Sequence, residues 1–578
     1  MTTPREPAAE PARPTREQIA RYLGERPLTF DRRQLLAMFG TSAALVAARS
    51  DVAALSGAPA PSIADMAAQT GPDAVIVTAN GLDLDELDPH YFKSIPSYFA
   101  VCNLYDNLFA YEYEELESGG LTPVADENGD WILRPWLLES WEVSDDQKTL
   151  TFTLKEGLTF SDGSPLTSRD VKATWDRGVS DTSPYSKTVL NLMTVMSPDQ
   201  IEAPDERTVV LALEQPTVFA LKMLAVNVLD IMSAEALEEH ATPEDPTAHD
   251  FFRTNVLGSA AYTLANWTPG VSWEFAPNPN FWNPDALRNG GVVNRVVPSP
   301  QERLSLLVNG DVDLSFNLLP KDLADLRDNP DITLFNFDVP WPNFLGMNNR
   351  IPPFDQKVVR QAVSHAIPYQ TIIDEVMFGF AKPVKSPVAE GMPTSDYSFW
   401  NYDGGPARAR ELLDEAGIAD LEFDIAVLIG FAQNEQIAVW IQSGLAEAGI
   451  TANVRRMTDA EYYDLFNSGQ LQGYLGEFYS WVNDPMYHLF FNFVSTNTAT
   501  NAAGYNNPEV DEIVLSGLYE TDLEKRDALS REAQRIIVDD APWGLLFQVN
   551  YVVAGRSNIS GYNWNTDVGA RYWMVSKE

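Results

Sequence analysis

At 578 residues, with 45% hydrophobic and 21% charged side chains, the chain is too long for one ordinary core and has the balance of a soluble globular protein of two or more domains. Its formal net charge of −42 excludes a nucleic-acid binder, which needs a basic footprint, and the absence of acidic blocks reads as a solubility coat spread over a surface. A single cysteine, Cys102, excludes an internal disulfide framework and is expected as a small buried residue.

Residues 1–30, rich in Pro, Arg, Glu and Ala, read as disordered. Arg32 and Arg33 then precede an apolar stretch from Leu35 to Ala48, softened by Gly40, Thr41 and Ser42. Paired arginines before a moderately apolar segment resemble a twin-arginine export signal, and the segment is too short to span a bilayer permanently. No cysteine follows it, so the expectation is a periplasmic protein that is exported but not lipid-anchored, ordered from near Asp73.

The pattern predicts a strand at 74–78, a loop at Leu87-Asp88-Pro89-His90, a helix over 98–109 and a polar insertion at 112–130. A strand at 141–144 and a second with Leu150, Phe152 and Leu154 alternating against Thr151, Thr153 and Lys155 form a hairpin with one buried face. After the turn Ser161-Asp162-Gly163-Ser164-Pro165, Thr167 or Ser168 caps a helix, with Asp170 in its first turn. A strand at 207–213 and helices at 216–228 and 300–309 follow. Val359, Ala362, Val363, Ala366 and Ile367 share one helix face, with Asp355 as the expected cap, Pro368 as the stop and Gly379 closing the next helix. A helix over 406–416 has Pro at its start and Gly417 past its end. The strand 421–429, helix 433–448 and strand 450–454 make a βαβ unit, hence a parallel pair. Residues 511–540 read as helical, and a late strand at 542–547 leads into a tail that returns to the first domain.

Residues 136–177, WLLESWEVSDDQKTLTFTLKEGLTFSDGSPLTSRDVKATWDR, contain nothing reactive, but their order is specific. The run resembles the extracellular solute-binding proteins of the peptide/nickel class, family 5, the receptors of ABC importers. Pro352-Pro353-Phe354-Asp355 with Val359-Arg360, Asn278-Pro279-Asn280-Phe281-Trp282, and Asn255 to Tyr262 agree with it too; in the last, Ala260-Ala261 stands where the family has Gly-Pro. The resemblance covers nearly all of the chain after residue 73. It implies an α/β, two-lobed periplasmic-binding-protein fold of type II, in the large cluster with an extra inserted domain, and a ligand cleft between the lobes. The expected division is 1–72 extension and export signal, 73–108 and 206–298 lobe I, 109–205 the inserted domain, 299–540 lobe II, and 541–578 a C-terminal return to lobe I. Cleft closure around a ligand is the implied mechanism.

The sequence offers no enzyme motif against this reading. His90, His240, His249, His365 and His488 are scattered, without HExxH spacing, and neither G-x-S-x-G nor a P-loop occurs. No catalytic residue and no cofactor or metal follows from the sequence. A ligand cleft needs apolar plates with sparse polar groups between them. Tyr98 after the first strand, Trp341 and Asn343 in a loop between two segments of the second lobe, and Tyr479, Trp481, Asp484 and His488 around Gly476 to Pro485 are the candidate ligand contacts. The last stretch resembles the family's cleft loop, where peptide binders place an Asp four residues before the Pro to meet the peptide's amino group. Trp481 occupies that position here, and Asp484, beside the Pro, is expected to shape the turn. Peptide remains the class expectation. A sugar or opine-like ligand stacked on Trp481 is the alternative, nickel or haem transport is a weaker one, and a secreted hydrolase or a non-transport sensor or chaperone is the competing class. The implied partners are a small-molecule or peptide ligand and an ABC permease with its ATPase subunits. The protein would be a monomer and would meet the membrane only through that permease.

Overall fold

The computed structural model describes residues 66–578, apart from 93, 181–183, 498–499 and 567–568. The twin-arginine stretch lies outside the described residues.

The first strand is β1, Ile76–Asn80, followed by helix α1, Ile95–Leu104, which Ser94 caps by accepting from Ser97 N. α1 ends five residues before the expected Phe109, which instead starts the strand Phe109–Tyr111. The cause lies in the intervening polar pair. The Asn107 Oδ1 atom accepts from Leu108 N, and Asp106 accepts from Trp136 Nε1 and Ser259 Oγ, so these side chains serve groups a continued helix would not present. The insertion that follows carries two short paired strands, Tyr113–Glu115 and Leu121–Pro123.

A separate four-stranded antiparallel sheet comes next. It is built from β2, Leu138–Val143, β3, Thr149–Leu154, β4, Ile201–Glu202, and β5, Thr208–Ala212, in the order β2-β3-β5-β4. Leu150, Phe152 and Leu154 are buried while Thr149, Thr151 and Thr153 are half-buried, the alternation read from sequence. Each such buried side chain contributes about 2 kcal/mol. Between β3 and β4 runs α2, Ser168–Gly178, opened by a reciprocal capping box of Thr167 and Asp170. The expected helix at 216–228 reduces to Ala220–Met223 and a 3-10 turn at Asn227–Leu229. Here Asn107 Nδ2 donates to Val226 O and Ser186 Oγ to Val228 O, taking carbonyls that a helix would have used.

The main sheet has eleven strands. Its first part is β6, Tyr262–Thr268, β7, Ser272–Pro277, and β8, Val292–Val296, beside β1. Helix α3, Pro300–Asn309, matches its expected bounds, ends at Gly310 with φ +80°, and leads to β9, Leu314–Ser315. Then comes β10, Ile332–Met347, a 16-residue strand that includes the Trp341 and Asn343 expected in a loop. Helix α4, Lys357–Ala366, follows; Gln356 and not Asp355 is at its cap position, with no side-chain bond to the helix. β11, Glu422–Leu428, α5, Ala432–Glu447, and β12, Thr451–Met457, form the expected parallel unit. β13, Gly473–Glu477, joins it in parallel with β11. Helix α6, Pro485–Phe493, precedes two helices where one stretch was expected; the break falls at Asp522, which accepts from Lys525 N and caps α7, Leu523–Asp540. The last long strand, β14, Trp543–Arg556, runs nine residues beyond the expected Phe547.

The order is β6-β7-β8-β1-β9-β14-β10-β13-β11-β12, and the eleventh strand, Ala381–Lys382, pairs with β14 off this path. β10 and β14 pair antiparallel along nearly their whole length and join the two ends of the sheet. Their register breaks twice, between Asn343 and Phe344 and, more widely, between Asp338 and Pro342. Asp338 pairs with Asn550 and Pro342 with Gln548, so Val339, Pro340 and Trp341 face Val549 alone. Pro340 and Pro342 have no N–H for the ladder, which explains why the bulge sits there. The C-terminal tail packs on the first part of the sheet: Lys577 Nζ reaches the buried Asp313 at 2.7 Å, and Asn289 Nδ2 donates to Tyr572 O. Cys102 is buried and unbridged.

Candidate functional site

The carboxyl ends of β11, β12 and β13 lie along one sheet edge, because the three strands are mutually parallel, and such an edge is where open α/β sheets present their loops to ligands. The segment after β13 runs from Phe478 to Pro485 along that edge and carries three of the candidate residues, with His488 following in α6. Two aromatic groups meet there. Trp481 lies 6.4 Å, ring centre to ring centre, from Tyr98 of α1 and 6.5 Å from Tyr185. All three rings are buried, and Trp481 Nε1 has no hydrogen-bond acceptor among the described residues. Trp341, pushed out by the β10 bulge, tilts against Tyr479 at 5.1 Å and meets Tyr551 at 5.7 Å and Trp564 at 6.1 Å. Burial pushes the Tyr551 hydroxyl up to about 12, with its hydrogen bond to Tyr562 opposing. Asn343, next on the same face of β10, is half-buried and stands opposite Glu477.

The two remaining candidates point their polar atoms inward. Asp484 is fully buried and caps α6 by accepting from Met486 N and Tyr487 N. Its other contacts are Arg526 Nη2 at 2.6 Å and Lys222 Nζ at 3.4 Å. Burial opposes its charge, but the Arg526 and Lys222 cations outweigh burial and hold its carboxyl down to about 2. Lys222 also reaches Asp130 at 2.7 Å, so one lysine ties the segment around residue 130 to the segment around residue 484. Asn483 Nδ2 adds to that tie by donating to Gly129 O and Gly391 O. His488 is fully buried, 3.1 Å from Ser480 Oγ through Nδ1, and desolvation pushes it down to about 3. It stays neutral at any ordinary pH.

Sequence reasoning thus named one or two members of each aromatic group and missed Tyr185, Tyr551 and Trp564. Each comes from a distant segment, and only their aromatic character could have pointed to them. Lys222 and Arg526, the partners of Asp484, were missed for the same reason. Among the described residues no group of three or more His, Cys, Asp or Glu is placed to hold a metal ion, and no helix is long and apolar enough to cross a membrane.

Known proteins share this fold. In fold, the chain is similar to the ABC transporter-associated periplasmic binding protein DppA from Helicobacter pylori, solved in complex with the peptide STSA, with a TM-score of 0.74 at 23% identity over 88% of this chain and 99% of that one. The fold is therefore the two-lobed α/β fold of the periplasmic binding proteins. In sequence it is 27% identical over 501 residues to the probable D,D-dipeptide-binding periplasmic protein DdpA of Escherichia coli strain K12, covering 86% of this chain and 92% of that protein. It is 26% identical over 513 residues to the glutathione-binding protein GsiB of Salmonella typhi, covering 86% and 93%. The model of the bacterial extracellular solute-binding proteins, family 5 middle region, matches residues 133–500, and the chain belongs to that family of solute-binding proteins.

Proposed function

We propose that this protein is a periplasmic receptor that captures a peptide or peptide-sized solute in a cleft between two lobes and delivers it to an ABC permease and its ATPase subunits. The observation that carries this reading is the pair of aromatic groups at the carboxyl edge of β11–β13, with rings drawn from residues 98, 185, 341, 479, 481, 551 and 564. Rings from far-apart segments, with few polar groups among them, suit a ligand enclosed from both sides. The names of the two relatives, a D,D-dipeptide binder and a glutathione binder, favour a peptide over other solutes.

On this reading lobe I comprises 73–108 and 206–298 with the return at 541–578, the inserted domain is 109–205, and lobe II is 299–540. The ligand favours the closed form because it touches both lobes. Tyr98, Trp341, Asn343, Tyr479 and Trp481 line the cleft, while Asp484 and His488 hold the loop that carries Trp481. No covalent step is involved; the receptor is exported and monomeric. A second reading, a sugar or opine-like ligand stacked on Trp481, is favoured by the unaccepted Nε1–H of that ring, which suits a ligand oxygen.

Native mass spectrometry of the protein isolated from its own periplasm, followed by denaturation and identification of released molecules, tests the proposal. Released peptides support it. A single sugar or opine-like mass replaces the ligand class with the second reading.

A further inference from the structure

Asparagine followed two residues later by serine or threonine occurs twice in the chain, at Asn266-Trp267-Thr268 and at Asn558-Ile559-Ser560. Such a triplet is what N-glycosyl transfer reads: an amide nitrogen to be modified and a hydroxyl beside it, on a surface that a transferring enzyme can reach. The fold treats the two triplets differently. Asn558 Nδ2 donates to Glu578 O at 3.0 Å, and Glu578 N donates back to Asn558 O. Ile559 is buried, and Ser560 is paired with Ser576. The C-terminus therefore covers that amide.

Asn266 is open. It is exposed on β6, close to the turn that leads into β7. β6 forms one edge of the main sheet, and among the described residues no strand pairs with its outer side. The ladder with β7 breaks between Leu264 and Asn266, and beyond the break Asn266 faces Glu274. Trp267 Nε1 donates to Asp83 at 3.2 Å, and Gly270 N donates to the same carboxylate, so the hairpin tip is pinned. Alternation along a strand turns Asn266 and Thr268 to the face opposite Trp267. There Asn266 Nδ2 lies 3.4 Å from Thr268 Oγ1 and 3.4 Å from Glu274 Oε1. The amide and the hydroxyl of the triplet are thus already together. A singly substituted nitrogen keeps one N–H for one of its two acceptors.

The edge itself needs protection. Tyr262–Thr268 holds no charged residue and no proline, although the chain carries a net charge of −42. Its Tyr262, Thr263, Trp267 and Thr268 favour strands, which makes it a template for a foreign strand. Val271, in the adjoining turn, is 59% exposed. The opposite edge of the sheet, β12, carries Arg455 and Arg456, paired with Asp424 and Glu435. Charge of that kind deters edge-to-edge association, and β6 has only its bulge.

We propose that Asn266 is an N-glycosylation site and that its glycan shields the β6 edge. The donor class is an oligosaccharide linked through its first sugar to a polyprenyl diphosphate. The amide nitrogen bonds to C1 of that sugar, and the C1–oxygen bond breaks with its electron pair leaving on the diphosphate. The nitrogen gives up one proton.

The test is intact-mass spectrometry and peptide mapping of the full protein isolated from the cells that make it. The expected result is a mass excess of whole sugar residues located on Asn266. It should be lost in Asn266→Gln and Thr268→Ala and retained in Thr268→Ser and Asn558→Gln, with thermal melts showing that each variant is folded. Light scattering should show association of Asn266→Gln rising about twofold or more over the glycosylated protein. An unmodified Asn266 overturns the proposal, and so does a glycan carried on Asn558 alone. A glycan on Asn266 whose loss leaves association unchanged supports the site and overturns the shielding role.

Discussion

Asp484 and Arg526 form a buried ion pair, Oδ1 to Nη2 at 2.6 Å, that fixes the start of α6 against α7. The pair sits directly behind the segment that carries Trp481. Asp484→Ala strands a buried guanidinium and removes the α6 cap, so a loss of about 3–5 kcal/mol in unfolding free energy is expected. Urea denaturation at pH 7 measures it, and a loss below about 1 kcal/mol would contradict the burial argument.

The acid limb of stability should follow from two groups. Asp484, depressed to about 2 from 3.8, contributes stability that is complete above pH 3.8 and lost as pH falls through 2. His488, held near 3 from 6.5, stays unprotonated in the folded state while the unfolded chain takes up a proton, so its contribution declines from pH 6.5 toward 3. His488→Gln should flatten the fall in melting temperature between pH 6.5 and 4 and leave the region below pH 3.5 to the aspartate.

Glu477 acts in the opposite sense. Its folded-state value of about 7 lies above the ordinary 4.5, so in the empty protein its ionisation costs stability as pH rises from 4.5 through 7. Glu477→Gln should therefore raise the melting temperature at pH 8 and leave it unchanged at pH 4. Thermal melts of both proteins at the two pH values decide this without any ligand.

Lys222 bridges Asp130 and Asp484 at 2.7 and 3.4 Å. On the proposed closure mechanism this tie belongs to the closed form. Lys222→Ala should enlarge the radius of gyration of the ligand-free protein in X-ray scattering, while a saturating ligand returns it to the wild-type value. Equal radii for the two ligand-free proteins would remove the lysine from the closing contact.

Trp481→Ala should reduce ligand affinity, and Trp481→Phe should keep most of it while losing the Nε1–H. The alanine variant also costs about 3–5 kcal/mol of stability, so affinity is read on the folded fraction. Unchanged affinity in both would take the ring out of the site.

Local pattern carried much of the fold. The alternation of β3, the Pro and Gly that bracket residues 405–417, and the β11-α5-β12 unit are written in short windows of sequence, where periodicity and capping decide structure. The β10 bulge was not legible. Pro340 and Pro342 look like loop punctuation, and only pairing with β14 reveals that they mark an irregular strand. β14 itself was cut short because polar Gln548 and Asn550 interrupt its apolar run. The candidate site was legible as a segment but not as a set. Tyr185 and Trp564 meet their partners only through tertiary packing.

The two long strands have a consequence for how the molecule is made. β9 and β10 both pair with β14, which begins at residue 543 of 578. A ribosome releasing the chain from its N-terminus therefore leaves the facing edges of β9 and β10 open until β14 has emerged. Such edges recruit other strands. The growing chain is thus a ready client for chaperones, and a ribosome that stops before residue 543 releases a product prone to aggregate.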